Sequence, residues 1–278
     1  MKAASWSGVA LGEKRSLSLR ERKEHMSYQW YPQKIGAGDM DGTYSKQTVD
    51  FVRDTYGTNT NITIGEFGIW RGATTFRLAQ LLDGRGTIHI FDYADNTHAV
   101  KMELARRGFK NIVAWGSSYK FLDSYNWNLK KILENSSKPL FDFCYLDGAH
   151  TWAIDALTFF LCDRLLKVGG YIQFDDYRWR LRGSSLDPVN VSQTAQMYTD
   201  EQIDAFQVRA IVDLLVKRDP HYKEVLRNRI YQKVASAGMK PWTGRAVARL
   251  AGIAGRGRIR RATRSVAAPR AQRALAIA

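Results

Sequence analysis

The sequence predicts an α/β protein built on a doubly wound, mostly parallel sheet of seven strands with an antiparallel hairpin at its end. Three observations predict it. From residue 61 to 174, short runs of β-branched and aromatic residues alternate with helically spaced segments, the order of strands joined by crossover helices. A glycine-bearing turn leads from the first strand into the first of those helices. Two further short strands, 222–226 and 229–234, are joined by a turn too tight for a crossover, so they must run antiparallel to each other.

Taken in order, residues 61–67 (NITIGEF) read as a strand and 74–82 (TTFRLAQLL) as a helix stopped by Asp83-Gly84. Residues 87–92 (TIHIFD) are a second strand, 97–107 a second helix ended by Gly108, and 111–115 a short third strand. The fourth, 141–147 (FDFCYLD), has the largely apolar character of a strand buried on both faces. A long helix over 151–166 takes Lys167-Val168-Gly169-Gly170 as its stop signal, and 171–174 is a fifth strand running into Asp175-Asp176. Residues 178–197 are polar, contain Gly183 and Pro188, and read as a loop able to cover a site; 200–217 reads as one helix. No internal repeat is visible, which removes solenoids and propellers.

Of the 278 residues 45% are hydrophobic, an ordinary globular fraction, and no run approaches the ~18 apolar residues of a membrane span. Residues 1–30 hold no apolar segment of the kind a secretory signal needs. Cys144 and Cys162 lie in apolar stretches, as buried thiols of a reducing compartment do, so the expected location is cytoplasmic. The formal charge of +15 is uneven: from Lys240 onward there are ten Lys and Arg and no acid, which leaves +5 for residues 1–239. Overall basicity therefore describes a tail more than a body. The body shows no interleaved basic and aromatic surface motif, which argues against RNA as the partner.

Candidate chemistry gathers at the ends of the strands. The first strand runs into Glu66-Phe67-Gly68-Ile69-Trp70-Arg71-Gly72, where Gly68 and Gly72 allow a sharp turn and close approach to a ligand. This loop lacks the triple-glycine spacing of a dinucleotide site, and Glu66 suits a ligand with a positive end better than a pyrophosphate. Asp92 ends the second strand at the distance where an acid accepts from ribose hydroxyls. Together these describe an adenosine pocket with room for an ammonium or sulfonium group, as in S-adenosylmethionine. The alternatives are a plain strand–helix turn and a capping role for Asp92. Asp147-Gly148-Ala149-His150 follows the fourth strand and Asp175-Asp176 the fifth. Three carboxylates meeting at one sheet edge repel unless a cation joins them, and all-oxygen ligands suit Mg²⁺. His150 lies within reach of the same space with a near-neutral imidazole suited to a general base. The alternative is that the acids cap adjacent turns and His150 merely begins a helix. His25, His89, His98 and His221 have no comparable neighbours. Trp70, Trp152 and Trp179 flank the crevice.

EFGIWRG, IFD, YLDGAH, LLKVGGYIQFDDY and the terminal hairpin together resemble the class I S-adenosylmethionine-dependent methyltransferases, which are Rossmann-like, and within them the subgroup of macrocin-type sugar O-methyltransferases. The resemblance spans roughly residues 45–235. It implies Asp147, Asp175 and Asp176 as Mg²⁺ ligands, His150 with Asp147 as the catalytic pair, and Glu66, Gly68, Gly72 and Asp92 as holders of the cofactor. Ser117 and Ser118 fall where that family contacts the adenine side.

Three segments are therefore expected: an N-terminal extension (1–44), a methyltransferase domain (45–235) and a basic tail (236–278). The expected activity is Mg²⁺-assisted O-methylation of a sugar, glycolipid or phenolic hydroxyl. Rivals are a metal-independent N- or O-methyltransferase and a non-enzymatic basic adaptor. Expected partners are a small-molecule or glycan acceptor, a second copy of the chain, and an anionic membrane face or polyanion met by the tail.

Overall fold

The computed structural model describes residues 39–234 except 121 and 137, all within the unit Met1–Ala235. Most of the N-terminal extension, His25 and the basic tail lie outside the described residues. Five parallel strands, β1 (Thr63–Phe67), β2 (Thr87–Tyr93), β3 (Ile112–Ser117), β4 (Phe141–Leu146) and β5 (Leu166–Phe174), are followed by β6 (Tyr222–Leu226) and β7 (Ile230–Lys233). They form one seven-stranded sheet in the order β3-β2-β1-β4-β5-β7-β6, with β7 antiparallel to both β5 and β6. This is the Rossmann-like, doubly wound, mostly parallel sheet with a terminal antiparallel hairpin that the sequence predicts.

Helices cover both faces. Leu78 of α2 (Ala73–Leu82), Val100 of α3 (Ala94–Arg106) and Val52 of α1 (Lys46–Tyr56) pack with Ile64, Ile88 and Phe143 on one side. Leu129 of α4 (Tyr125–Asn135), Phe159 of α5 (Trp152–Leu165) and Val208 of α8 (Gln207–Ile211) pack with Phe67, Phe91 and Cys144 on the other. Phe67 and Phe91 stack at 4.4 Å between ring centroids, tying neighbouring strands at the core centre. Alternation along β1 sends Ile64 and Glu66 to one face and Phe67 to the other, because successive side chains of a strand point to opposite sides.

The structure departs from the sequence reading in four places. Lys167-Val168-Gly169-Gly170 does not end a helix in a loop; it is the start of β5, bulged against β4, with Gly169 at φ +88°. The expected helix over 200–217 is three pieces. A short α7 (Asp200–Asp204) ends where Ala205 turns extended, α8 follows, and the chain passes into a π-helix over Val212–Val216. The polar loop over 178–197 closes with a helical turn, α6 (Ser192–Met197). Helices α1 and α4 occupy segments the sequence reading leaves unassigned. No helix among the described residues is long and apolar enough to cross a membrane.

Candidate active site

The sheet reverses its winding between β1 and β4, and at such a point the loops leaving the carboxyl ends splay apart to leave a crevice. The register aligns these ends: Phe67 stands opposite Phe91 on one side and Leu146 on the other, and Leu146 opposite Phe174. Hydrogen bonding continues one step into the loops, from Gly68 N–H to the Phe91 carbonyl, Asp147 N–H to Phe67, and Asp175 N–H to Leu146 (2.8, 2.8 and 2.9 Å). Glu66 and Asp92, at the ends of β1 and β2, and the loops bearing Asp147, His150, Asp175 and Asp176 thus share one edge, as the sequence reading expects.

Gly68 is required by packing as well as by its φ of +82°. A Cβ there would lie 2.1 Å from the Asp147 carbonyl oxygen, so the β1 loop rests directly on the β4 loop. Gly72, at φ +79°, precedes α2, where a Cβ would press on Val100. Glu66 is buried at 1% exposure, and its Oε2 has no hydrogen-bond partner among the described residues. Burial pushes its pKa up to about 8, the nearby Asp92 charge acts in the same direction, and the Thr75 hydroxyl opposes them. Asp92 is buried and organised by the backbone: Oδ2 accepts from Ile69 N–H (2.9 Å) and Oδ1 from Tyr93 N–H (2.7 Å). Burial raises its pKa, and those amides oppose the rise. Ser117 Oγ lies 3.4 Å from the Asn128 amide, whereas Ser118 binds Asp123 Oδ2 through both its N–H and its hydroxyl (2.7 Å each). Beside them Tyr93 stacks on Tyr119 at 4.3 Å, and the Tyr119 hydroxyl reaches Asp95.

The acidic side of the crevice is more tightly built. His150 Nε2 stands 3.7 Å from Asp147 Oδ1 and 3.5 Å from Asp176 Oδ2, and ligand atoms of these three residues lie within 4.8 Å of one another. Asp175 faces elsewhere. Its Oδ1 accepts from Arg229 of the terminal hairpin (2.9 Å), and its Oδ2 lies 3.2 Å from the Tyr145 hydroxyl, which also reaches Asp147 Oδ2 at 2.9 Å. Burial first, and then the Asp175 charge, hold the Asp147 carboxyl well above the usual carboxylate range. Burial also raises Asp176, opposed by His150.

The His150 loop has a foundation that the sequence reading misses. The buried Tyr125 hydroxyl, from α4, accepts from Ala149 N–H (3.1 Å) and donates to Asp155 in the first turn of α5. Asp155 also faces the backbone N–H groups of His150 and Thr151, which oppose the upward push of burial on its carboxyl. Gln207 accepts from Trp152 N–H at 2.8 Å. His150, Asp176 and Trp70 all adopt left-handed backbone, with φ of 54°, 54° and 46°. Left-handed backbone is uncommon for residues other than glycine and costs about 1–2 kcal/mol each, so a strained residue stands in each of the three loops around the crevice. Trp179 lies 5.2 Å from the His150 ring, between centroids, and walls the crevice on the β5 side.

Residues 66–177 match the family model described as a methyltransferase domain. No curated protein matches it. Among solved structures, the backbone is similar to the O-methyltransferase TomG from Streptomyces achromogenes in complex with SAM. Identity there is 14% over 79% of this chain and 100% of that one, with a TM-score of 0.48. It is also similar to the O-methyltransferase from Bacillus cereus in complex with SAH (16% identity, 78% and 90% covered, TM-score 0.47). A third is the MycE methyltransferase of the mycinamycin biosynthetic pathway, in complex with Mg and SAH (20% identity, 70% and 51% covered, TM-score 0.41).

Proposed function

We propose that the chain transfers the methyl group of S-adenosylmethionine to a hydroxyl of a small acceptor, such as a sugar, glycolipid or phenol. The observation that carries this is a matched pair of sites at one sheet edge. On one side lies a buried carboxyl, Glu66, with an oxygen unpartnered among the described residues, near the buried Asp92; on the other, His150 stands between two carboxylates. Glu66 would face the ammonium of the cofactor and Asp92 its ribose, with Gly68 and Gly72 shaping the loop and Ser117 and Ser118 on the adenine side. Bound S-adenosylmethionine would supply the methyl group, its carbon–sulfur bond giving way to the new oxygen–methyl bond with S-adenosylhomocysteine as the other product. The hydroxyl proton passes to His150 Nε2, whose ring is steadied by Trp179 and by the Tyr125–Asp155 support beneath its backbone.

The donor set fits a hard divalent cation: Asp147 and Asp176 offer converging oxygens, with Asp175 adding negative charge behind Asp147. Mg²⁺ bound there would lower the pKa of the acceptor hydroxyl and fix its direction of attack. One observation favours a metal-independent second reading. His150 Nε2 lies within 4 Å of both acids, so its ring rather than a metal stands between them.

Transfer of labelled methyl by the purified chain, with and without EDTA, separates these readings. Activity abolished by EDTA and restored by Mg²⁺ is the expected result. Activity indifferent to EDTA selects the second reading, and absence of transfer to glycan, glycolipid and phenol pools removes the O-methylation proposal.

A further inference from the structure

The segment that leaves β5 carries three arginines in five residues, Arg178, Arg180 and Arg182. Together with Trp179 and residues 183–185 they line a surface cavity of about 390 Å³, with no acidic residue in its lining among the described residues. The cavity and the His150 site share a wall, because Trp179 belongs to both. The turn that places Trp179 there is fixed by its N–H bond to the Asp176 carbonyl (2.8 Å).

The segment is a built one. Leu181 is buried, Arg182 N–H bonds the Ile203 carbonyl at 3.0 Å, and Gly183 N–H and Val189 N–H are both held by the Asp187 carboxylate (2.6 and 3.0 Å). Its charges are unevenly balanced. Arg182 pairs with Asp204 at 3.0 Å and stands 3.8–3.9 Å from Asp200 and Asp187. Arg180 is exposed, and its guanidinium rests 5.5 Å above the Phe206 ring with no acid partner among the described residues. Arg178 is exposed and has no ion-pair partner among the described residues. Two guanidiniums of the cavity lining are therefore left without an acid partner among the described residues, beside the wall shared with the His150 site.

We infer that the acceptor carries an anionic group, a phosphate or a carboxylate, and that Arg178 and Arg180 hold it. This rests on the methyl-transfer reading above. An anion held by the arginines would sit across the shared Trp179 wall from the His150 site, which orients the acceptor with its hydroxyl toward His150. Guanidinium forks suit the oxygens of phosphate and carboxylate, and the Trp179 ring supplies an apolar wall for the carbon skeleton between the two ends.

The test compares the native full-length chain with an Arg178→Gln/Arg180→Gln double variant in calorimetric titrations with inorganic phosphate, acetate, glucose and glucose 6-phosphate. The arginines beyond residue 236 are common to both chains, so only a difference between them bears on the cavity. Phosphate or acetate affinity should fall roughly tenfold or more in the variant, the scale of losing charge-assisted hydrogen bonds, and the larger fall identifies which anion the cavity takes. The native chain should bind glucose 6-phosphate more tightly than glucose if that anion is phosphate. Affinities for both anions that match in the two chains would overturn the inference. S-adenosylhomocysteine, titrated into the same chains, should bind both equally. Its failure to bind the native chain would remove the methyl-transfer reading instead, and the two failures are thereby told apart.

Discussion

Replacing Glu66 by glutamine should abolish a loss of stability that the native chain undergoes as pH rises. Glu66 is enclosed at the end of β1 with one carboxyl oxygen unpartnered, and burial moves its pKa from 4.5 to about 8. Below pH 4.5 the carboxyl is protonated in the folded and unfolded chain alike and contributes nothing to the pH dependence. Between 4.5 and 8 the unfolded chain releases the proton while the folded chain retains it, so stability falls by about 1.4 kcal/mol per pH unit. Above pH 8 both states are ionised, and the accumulated loss, on the order of 5 kcal/mol, stays constant. Glu66→Gln keeps the shape but has no proton to lose. Any fixed cost of burying its amide is the same at every pH and cancels when two pH values are compared. Urea unfolding of both chains across pH 5 to 8.5 measures the effect. Relative to the native chain, the variant should gain several kcal/mol over that span, and parallel profiles would refute a buried, uncharged Glu66. On the proposed reading, an ammonium entering this loop also favours the ionised carboxyl. Cofactor-product binding at pH 7 should then release protons, seen as a heat that changes with the buffer.

His150→Ala should lower the rate of methyl transfer by about 10²–10⁴ while S-adenosylhomocysteine binding is retained; a loss of about threefold or less would remove it as the base. Tyr125→Phe should cost about 2–4 kcal/mol in urea unfolding, since Ala149 N–H and the buried Asp155 both lose a partner. A cost under about 0.5 kcal/mol would show that the loop does not depend on it. Gly68→Ala should cost about 3 kcal/mol or more and lower the melting temperature, because a Cβ meets the Asp147 carbonyl at 2.1 Å and the backbone is left-handed. A melting temperature equal to that of the native chain would contradict this placement of the two loops.

The strands and the acids at their ends are legible in the sequence because both follow from local pattern. Apolar runs mark parallel strands, and parallel topology alone carries Asp92, Asp147 and Asp175-Asp176 to one edge. Helix α4 is illegible because its buried face includes Asn126 and Asn128. These are satisfied by the Ile154 carbonyl, Thr158 and the Gly116 carbonyl, partners that exist only in the folded chain. Helix α1 is readable: Val49, Phe51, Val52 and Tyr56 recur at helical spacing and pack on the core, a signal the sequence reading passes over, whereas the bond from Gln173 to the buried Thr48 exists only in the folded chain. The glycines of KVGG, taken as a helix stop, serve a strand bulge in which Gly170 lies against the Asp142 carbonyl; local composition does not separate the two uses. At the site, the pairing of Asp175 with Arg229 joins residues 54 positions apart and carries no sequence signal. The three arginines of 178–182 are plain in the sequence, but their shared cavity is visible only once Trp179 is seen against His150.

The left-handed backbone at Trp70, His150 and Asp176 has a consequence for anyone who tries to harden this protein against heat. A glycine adopts that conformation without steric penalty, so substitution at any of the three should gain about 1 kcal/mol from relief of strain, offset by the contacts the side chain gives up. A screen that rewards only survival at high temperature would therefore be drawn to the residues lining the crevice, and would return robust but inactive chains. A screen that rewards turnover should leave these three positions unchanged and find its gains elsewhere, at surface sites whose backbone is already relaxed.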